Sequence, residues 1–186
     1  MDASPHDLPP AARAVVDFWR EAGPTRWFAK DDDFDRRFRA RFLDAHEAAA
    51  RGDHDDWQAT PEGALALVLL LDQFPRNSFR GSARAFATDG QALDIAAHAV
   101  DRGDDRRVDA PLQPFFYMPF MHSETLADQE RCVELSGRIG GSTLEYAILH
   151  RNIIERFGRF PHRNPVLGRS TTEAEQAFLD QGGFKG

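Results

Sequence analysis

Eight consecutive apolar residues, Ala64–Leu71 (ALALVLLL), lie between Glu62 and Asp72 and limit what this chain can become. An element that is apolar on every face has to be surrounded by protein. At eight residues it falls far short of the ~20 that cross a bilayer. The segment therefore reads as the buried central helix of a water-soluble globule. Thr60-Pro61 offers a start, because proline is tolerated in a first helical turn, and the helix is expected to reach Phe74.

The surrounding segments carry helical periodicity. Pro9-Pro10 open a first helix with Val15, Phe18, Trp19 and Ala22 on one face, stopped by Gly23-Pro24. Asp31-Asp32-Asp33 open a second, placing carboxylates against free amides at its positive end, with Phe34, Phe38, Phe42, Ala45 and Ala49 inside. Trp27-Phe28 between them reads as a packed connection. Thr88 and Gln91 are spaced as a capping box for a helix that buries Ala92, Ile95, Ala96, Ala99 and Val100. After Gly103, residues 104–109 read as a solvated loop. The aromatic-rich stretch 111–122 reads as a short buried helix or turn bent at Pro119. Ser123 can cap a helix to about Gly137. A helix over 142–157 then places Tyr146, His150, Ile153, Ile154 and Phe157 on one face. A box from Ser170 to Glu173 opens the last helix, with Ala174, Ala177 and Phe178 turned inward. No segment alternates with period two, so the fold class is all-α, with seven or eight helices. One domain over residues 1–186 is expected, with residues 1–9 flexible.

The net charge of −7 argues against general binding to nucleic acid or anionic membranes. A single cysteine, Cys132, excludes a disulfide framework and a multi-cysteine zinc cluster, and in mid-helix it reads as a buried thiol. Residues 1–10 have neither a basic start nor an apolar run, so no signal peptide is legible and a cytoplasmic location is expected. HExxH, GxSxG, a glycine-rich phosphate loop and a dinucleotide fingerprint are all missing, and neither a cofactor nor a metal is expected.

Chemistry concentrates at two similar helix exits. Phe74-Pro75-Arg76-Asn77 follows the apolar helix and leads to Arg80; Phe160-Pro161-His162-Arg163-Asn164 follows the 142–157 helix. Proline is expected to end each helix and to push the preceding phenylalanine into an extended conformation. One reading is capping, since arginine suits the negative pole of a helix and asparagine suits turns. The other is a ligand site. Between Tyr146 and Arg169 stand five arginines against one acid, Glu155, inside an acidic chain, and guanidinium forks suit carboxylate or phosphate. If the exits meet, Arg76, Arg80, Arg159 and Arg163 can enclose one anionic group, with Asn77 and Asn164 as further ligand candidates. His122, Glu124, His150 and His162 would then be the neighbouring polar or acid–base groups. Asp72-Gln73, ending the most apolar helix, needs hydrogen-bond partners and is placed to hold an arginine.

Trp27-Phe28, LALVLLLDQFPRNSFRG (65–81), AFATD (85–89), FFYMPFMHSE (115–124) with Gln129, and RFGRFPHRNPVLGRSTTEAEQAFL (156–179) resemble the bacterial family of unknown function DUF924 over roughly 15–184. The resemblance implies an all-α fold of the tetratricopeptide-repeat-like class, with antiparallel helix pairs, although no 34-residue repeat is legible. It implies no activity and supplies no catalytic residue. Two functions are open: an Arg/His-lined pocket for a small phosphate- or carboxylate-bearing ligand, with or without turnover, or a non-catalytic helical module that grips a peptide or protein partner.

Overall fold

The computed structural model describes residues 7–185. Residues 1–6, most of the start expected to be flexible, lie outside the described residues. The fold is all-α, and no strand occurs among the described residues. Two compact units can be distinguished. The first runs to Arg80 and resumes over Arg84–Pro119; the second takes Gly81–Ala83 and the described chain from Phe120 onward.

In the first unit, α1 (Pro10–Ala22), α2 (Pro24–Trp27), α3 (Asp32–Ala50), α4 (Pro61–Val68), α5 (Phe74–Ser78) and α6 (Asp89–Arg102) surround the apolar octad. Every residue from Ala64 to Leu71 is buried, with α1 and α6 packed on α4. Asp31 caps α3 as the acidic run predicts, accepting from the Asp33 and Phe34 amides at 3.0 Å. Phe34 and Phe38 stack with Phe18, and Trp19 meets Phe115 edge-on. The stretch after Gly103 is not a solvated loop. Asp104 and Asp105 are buried, Asp104 paired with Arg102 and Arg107, and Asp105 accepting the Tyr117 hydroxyl at 2.8 Å.

Pro75 does not end the central helix. Leu69–Gln73 widens into a π-helical turn, and α5 continues through the proline to Ser78. A proline inside a helix removes one amide and frees the carbonyl four residues back, and π-bulges absorb such irregularities. The displaced carbonyls all find side-chain donors. Leu70 O accepts His46 Nδ1 at 2.9 Å, Leu71 O accepts the Thr88 hydroxyl at 2.5 Å, and Asp72 O accepts Arg76 Nη1 at 2.8 Å. Thr88 is therefore committed to the bulge and gives α6 no side-chain cap; Gln91 instead donates to Ala50 O. The His46 tautomer follows, since a carbonyl can only accept and Nδ1 must carry the proton.

The boundary between the units falls inside α7 (Met118–His122). In the second unit α8 (Leu126–Gly137) packs along α9 (Gly141–Phe157), and α10 (Glu173–Asp180) follows a long exit segment. Gly158, in the left-handed region at φ 68°, closes α9 and turns the chain into that exit. Ile153, Ile154 and Phe160 form one core cluster of the unit, with Phe157, Phe178 and Phe184 against it. The box opening α10 is Thr172 with Glu175, two residues later than the sequence spacing suggests. Glu175 is consequently the buried member of α10, whereas Ala174 and Ala177 are exposed and Phe178 only partly buried. Tyr146 also departs from expectation: its carbonyl faces His150 while its ring is exposed.

Candidate functional site

The three candidates at the first exit tie α5 and the turn after it to other helices. Arg76 forks onto Asp89 of α6 at 2.8 and 2.9 Å and reaches buried Asp72 at 3.0 Å. Burial opposes its charge, but Asp72 and Asp89 more than offset this and raise its pKa. Gln73 donates to Asp72 at 2.7 Å, so the polar pair ending the apolar helix is bonded as its burial requires. Asn77 donates to Asp35 of α3 at 2.6 Å, and Arg80 reaches the same carboxylate at 3.0 Å. All of these bonds lie within the first unit.

At the second exit Phe160 is extended (φ −88°, ψ 109°), as expected before proline, and its ring is fully buried. Glu124 accepts both Arg169 prongs at 2.7 and 3.0 Å and the Phe160 amide at 2.7 Å. Burial works to raise the Glu124 pKa, but Arg169 and that amide hold it below its ordinary value. Arg169 continues to Asn164 at 2.9 Å, and fully buried Asn164 reaches Glu175 at 3.3 Å. Glu175 is forked by Arg159 at 2.6 and 2.8 Å and accepts the Thr172 amide; Arg159, foremost, pulls its carboxyl down to about 2. This chain of charge-assisted bonds fixes the exit's path from Glu124 through Arg169 and Asn164 to Glu175 and Arg159.

Three histidines stand beside this frame. Buried His150 bonds Tyr146 O at 2.7 Å and meets Phe160 and Phe184 edge-on at 5.5 and 4.5 Å. His162 lies between the same two rings, 5.7 Å from Phe160 and 5.3 Å from Phe184. Its Nδ1 is buried and finds no hydrogen-bond partner among the described residues. Burial pushes the His162 pKa down to about 4, helped by Arg163, His150 and His122 and opposed by Glu124. Arg163, itself buried, lies over the Phe160 ring at 4.5 Å and donates to the His122 carbonyl at 3.0 Å.

The second unit thus draws His122, Glu124, His150, Arg159, His162, Arg163 and Asn164 into one neighbourhood, while Arg76, Asn77 and Arg80 organise the first. Sequence spacing did not single out Asp35, Asp89, Glu175 or Phe184, which partner the candidates. Glu175 carried a signal in the Thr172-x-x-Glu175 spacing; the others are matched only by tertiary approach. Cys132 is buried, as expected, and burial pushes its thiol up to about 11, which keeps it protonated at neutral pH. Among the described residues no group of His, Cys, Asp or Glu is arranged to hold a metal ion.

With this geometry in view, the protein is an all-helical one in which an arginine–carboxylate lattice frames a histidine-rich corner. It belongs to the bacterial family of unknown function DUF924, whose model matches residues 15–183. A solved structure, that of a protein of unknown function (ATU0120) from Agrobacterium tumefaciens, is similar to it. That protein is 51% identical, with a TM-score of 0.92 over 95% of this chain and 100% of the other. A search of curated proteins returns no match. No helix among the described residues is long and apolar enough to cross a membrane.

Proposed function

We propose that the second unit binds a small phosphate- or carboxylate-bearing ligand at the corner formed by His122, His162 and Arg163. One observation carries this reading: the buried, unpartnered Nδ1 of His162. Buried polar atoms are almost always bonded, and one left over in a neighbourhood of matching charge suits an incoming group. Arg163 beside it supplies permanent positive charge, and His162 can donate a proton to an anion. The Glu124–Arg169 and Glu175–Arg159 pairs are the rigid frame, with Asn164 between them, and His150 braces the aromatic wall. Arg76, Asn77 and Arg80 act in this reading as clamps of the first unit, because an anion at either arginine would have to displace a carboxylate already in place.

Thermal-shift measurements against phosphate, sulfate and small carboxylates test the reading. A ligand at 100 times its Kd stabilises by about 2.7 kcal/mol, a shift of several degrees. Arg163→Lys and His162→Gln should each abolish most of that shift. A best ligand that stabilises both variants as much as the parent refutes the site.

A second reading, a helical interaction module without catalysis, is favoured by the apolar side chains that α9 turns to solvent. Tyr146, Ile148 and Leu149 are exposed by 54%, 38% and 39%.

A further inference from the structure

Phe28 is the most exposed of the large apolar residues in the described chain, with 68% of its surface open to solvent, although sequence reading packs it inside. It is not loose. Its ring stacks on Phe115 at 6.1 Å and 11°, and meets Trp27 edge-on at 6.5 Å. Trp27 in turn lines a half-open groove of about 470 Å³ together with Pro24, Pro111, Leu112, Arg20 and Asp109. All of these residues belong to the first unit.

The exposed prolines Pro24 and Pro111, with Trp27 only 7% exposed beside them, give the groove apolar surface more than hydrogen-bond donors. The Trp27 indole N–H is already used, donating to Trp19 O at 2.6 Å. Aromatic and proline surfaces of this kind suit a polyproline II segment, which arrives preformed, makes no internal hydrogen bonds and presents its rings on regular faces. The rim selects for charge. Arg20 is held by Asp17, by Glu62 at 3.1 Å and by Asp109 at 2.9 Å, and all three carboxylates are exposed. Arg20 and Asp109 line the groove and Asp17 and Glu62 adjoin it through Arg20, so three carboxylates about one guanidinium leave an excess of two negative charges at this edge.

We propose that this groove docks an extended, proline-containing segment of another protein that carries Arg or Lys next to the proline. The proline packs among Pro24, Trp27 and Pro111. The basic side chain sits toward Asp17, Glu62 and Asp109, and Phe28 closes over the peptide from outside.

Fluorescence anisotropy on the full chain, with a labelled short proline-rich peptide bearing arginines, tests the proposal. Saturable binding is expected, weakened about tenfold by Phe28→Ala, by Glu in place of the peptide's arginines, or by Ala in place of its prolines. Added salt should also weaken it, because the rim is exposed. His162→Gln should bind the peptide as the parent does, so this test stands apart from the anion site. If Phe28→Ala fails to fold, the Glu62→Gln/Asp109→Asn double variant takes its place with the same expected loss. Equal affinity for the acidic or proline-free peptide, undiminished binding by these variants, or no saturable binding of any peptide would overturn the proposal. So would concentration-dependent self-association abolished by Phe28→Ala, which would assign the groove to a second copy of the chain.

Discussion

Acidification should weaken the folded chain through His162, and replacing that imidazole should remove the effect. The folded pKa is about 4 against 6.5 for a free histidine. The unfolded chain therefore takes up the proton first as pH falls. The contribution of neutral His162 is complete above pH 6.5, declines as pH drops toward 4, and changes no further below that. Each pH unit inside this window is worth about 1.4 kcal/mol, so lowering the pH from 7.5 to 5.0 should cost about 2 kcal/mol through this one group. Burial fixes the sign, and of the groups facing His162, Arg163, His150 and His122 add to it while Glu124 opposes it. Phenylalanine suits the site between Phe160 and Phe184. In urea unfolding, the midpoint of the parent should fall by about 1 M more than that of His162→Phe between those two pH values, taking a slope of ~2 kcal/mol per molar. Equal pH dependence of the two proteins would refute the reasoning, as would direct NMR titration placing the His162 pKa at or above 6.5.

The π-bulge makes a coupling testable. Thr88→Val should cost about 1–2 kcal/mol while Pro75 is present, because it strands the Leu71 carbonyl, and much less in a Pro75→Ala background where residue 75 can donate; a double-mutant cycle in urea measures the difference. Arg76→Ala should destabilise by about 3–5 kcal/mol, since buried Asp72 and its neighbour Asp89 lose their common cation. Glu175→Gln should flatten the acid limb of the stability profile. With the folded pKa near 2 and the ordinary value 4.5, the carboxylate's contribution is full above pH 4.5 and disappears as pH falls through 2, which acid titration of both proteins by circular dichroism would reveal.

The sequence was most legible where one physical demand dominated. Ala64–Leu71 had to be buried, and the Asp31 cap and the extended Phe160 followed from local chemistry. It was misleading where local and tertiary partners compete. Pro75 looks like a helix stop because its freed carbonyls need donors, and His46 on α3 and Thr88 before α6 are donors that no local window contains. The same tertiary demand took Thr88 from its capping role. The arginine-rich stretch from 146 to 169 looks strongly basic only while Glu124 and Glu175 lie outside the window, yet both fold onto it. Tyr146 was put on the inner face by periodicity, which records helical register but not where the neighbouring element ends, and Phe28 was read as packed only because it sits in an aromatic connection between two helices.

The proposed anion site of the second unit can be tested at the atom on which the proposal rests, by following the His162 imidazole with ¹⁵N NMR while inorganic phosphate or a small carboxylate is added. A bound anion should restore proton affinity, moving the His162 pKa upward from about 4, and should bind more tightly as pH falls toward that value. An imidazole whose shifts and pKa stay unchanged up to millimolar anion would contradict the account.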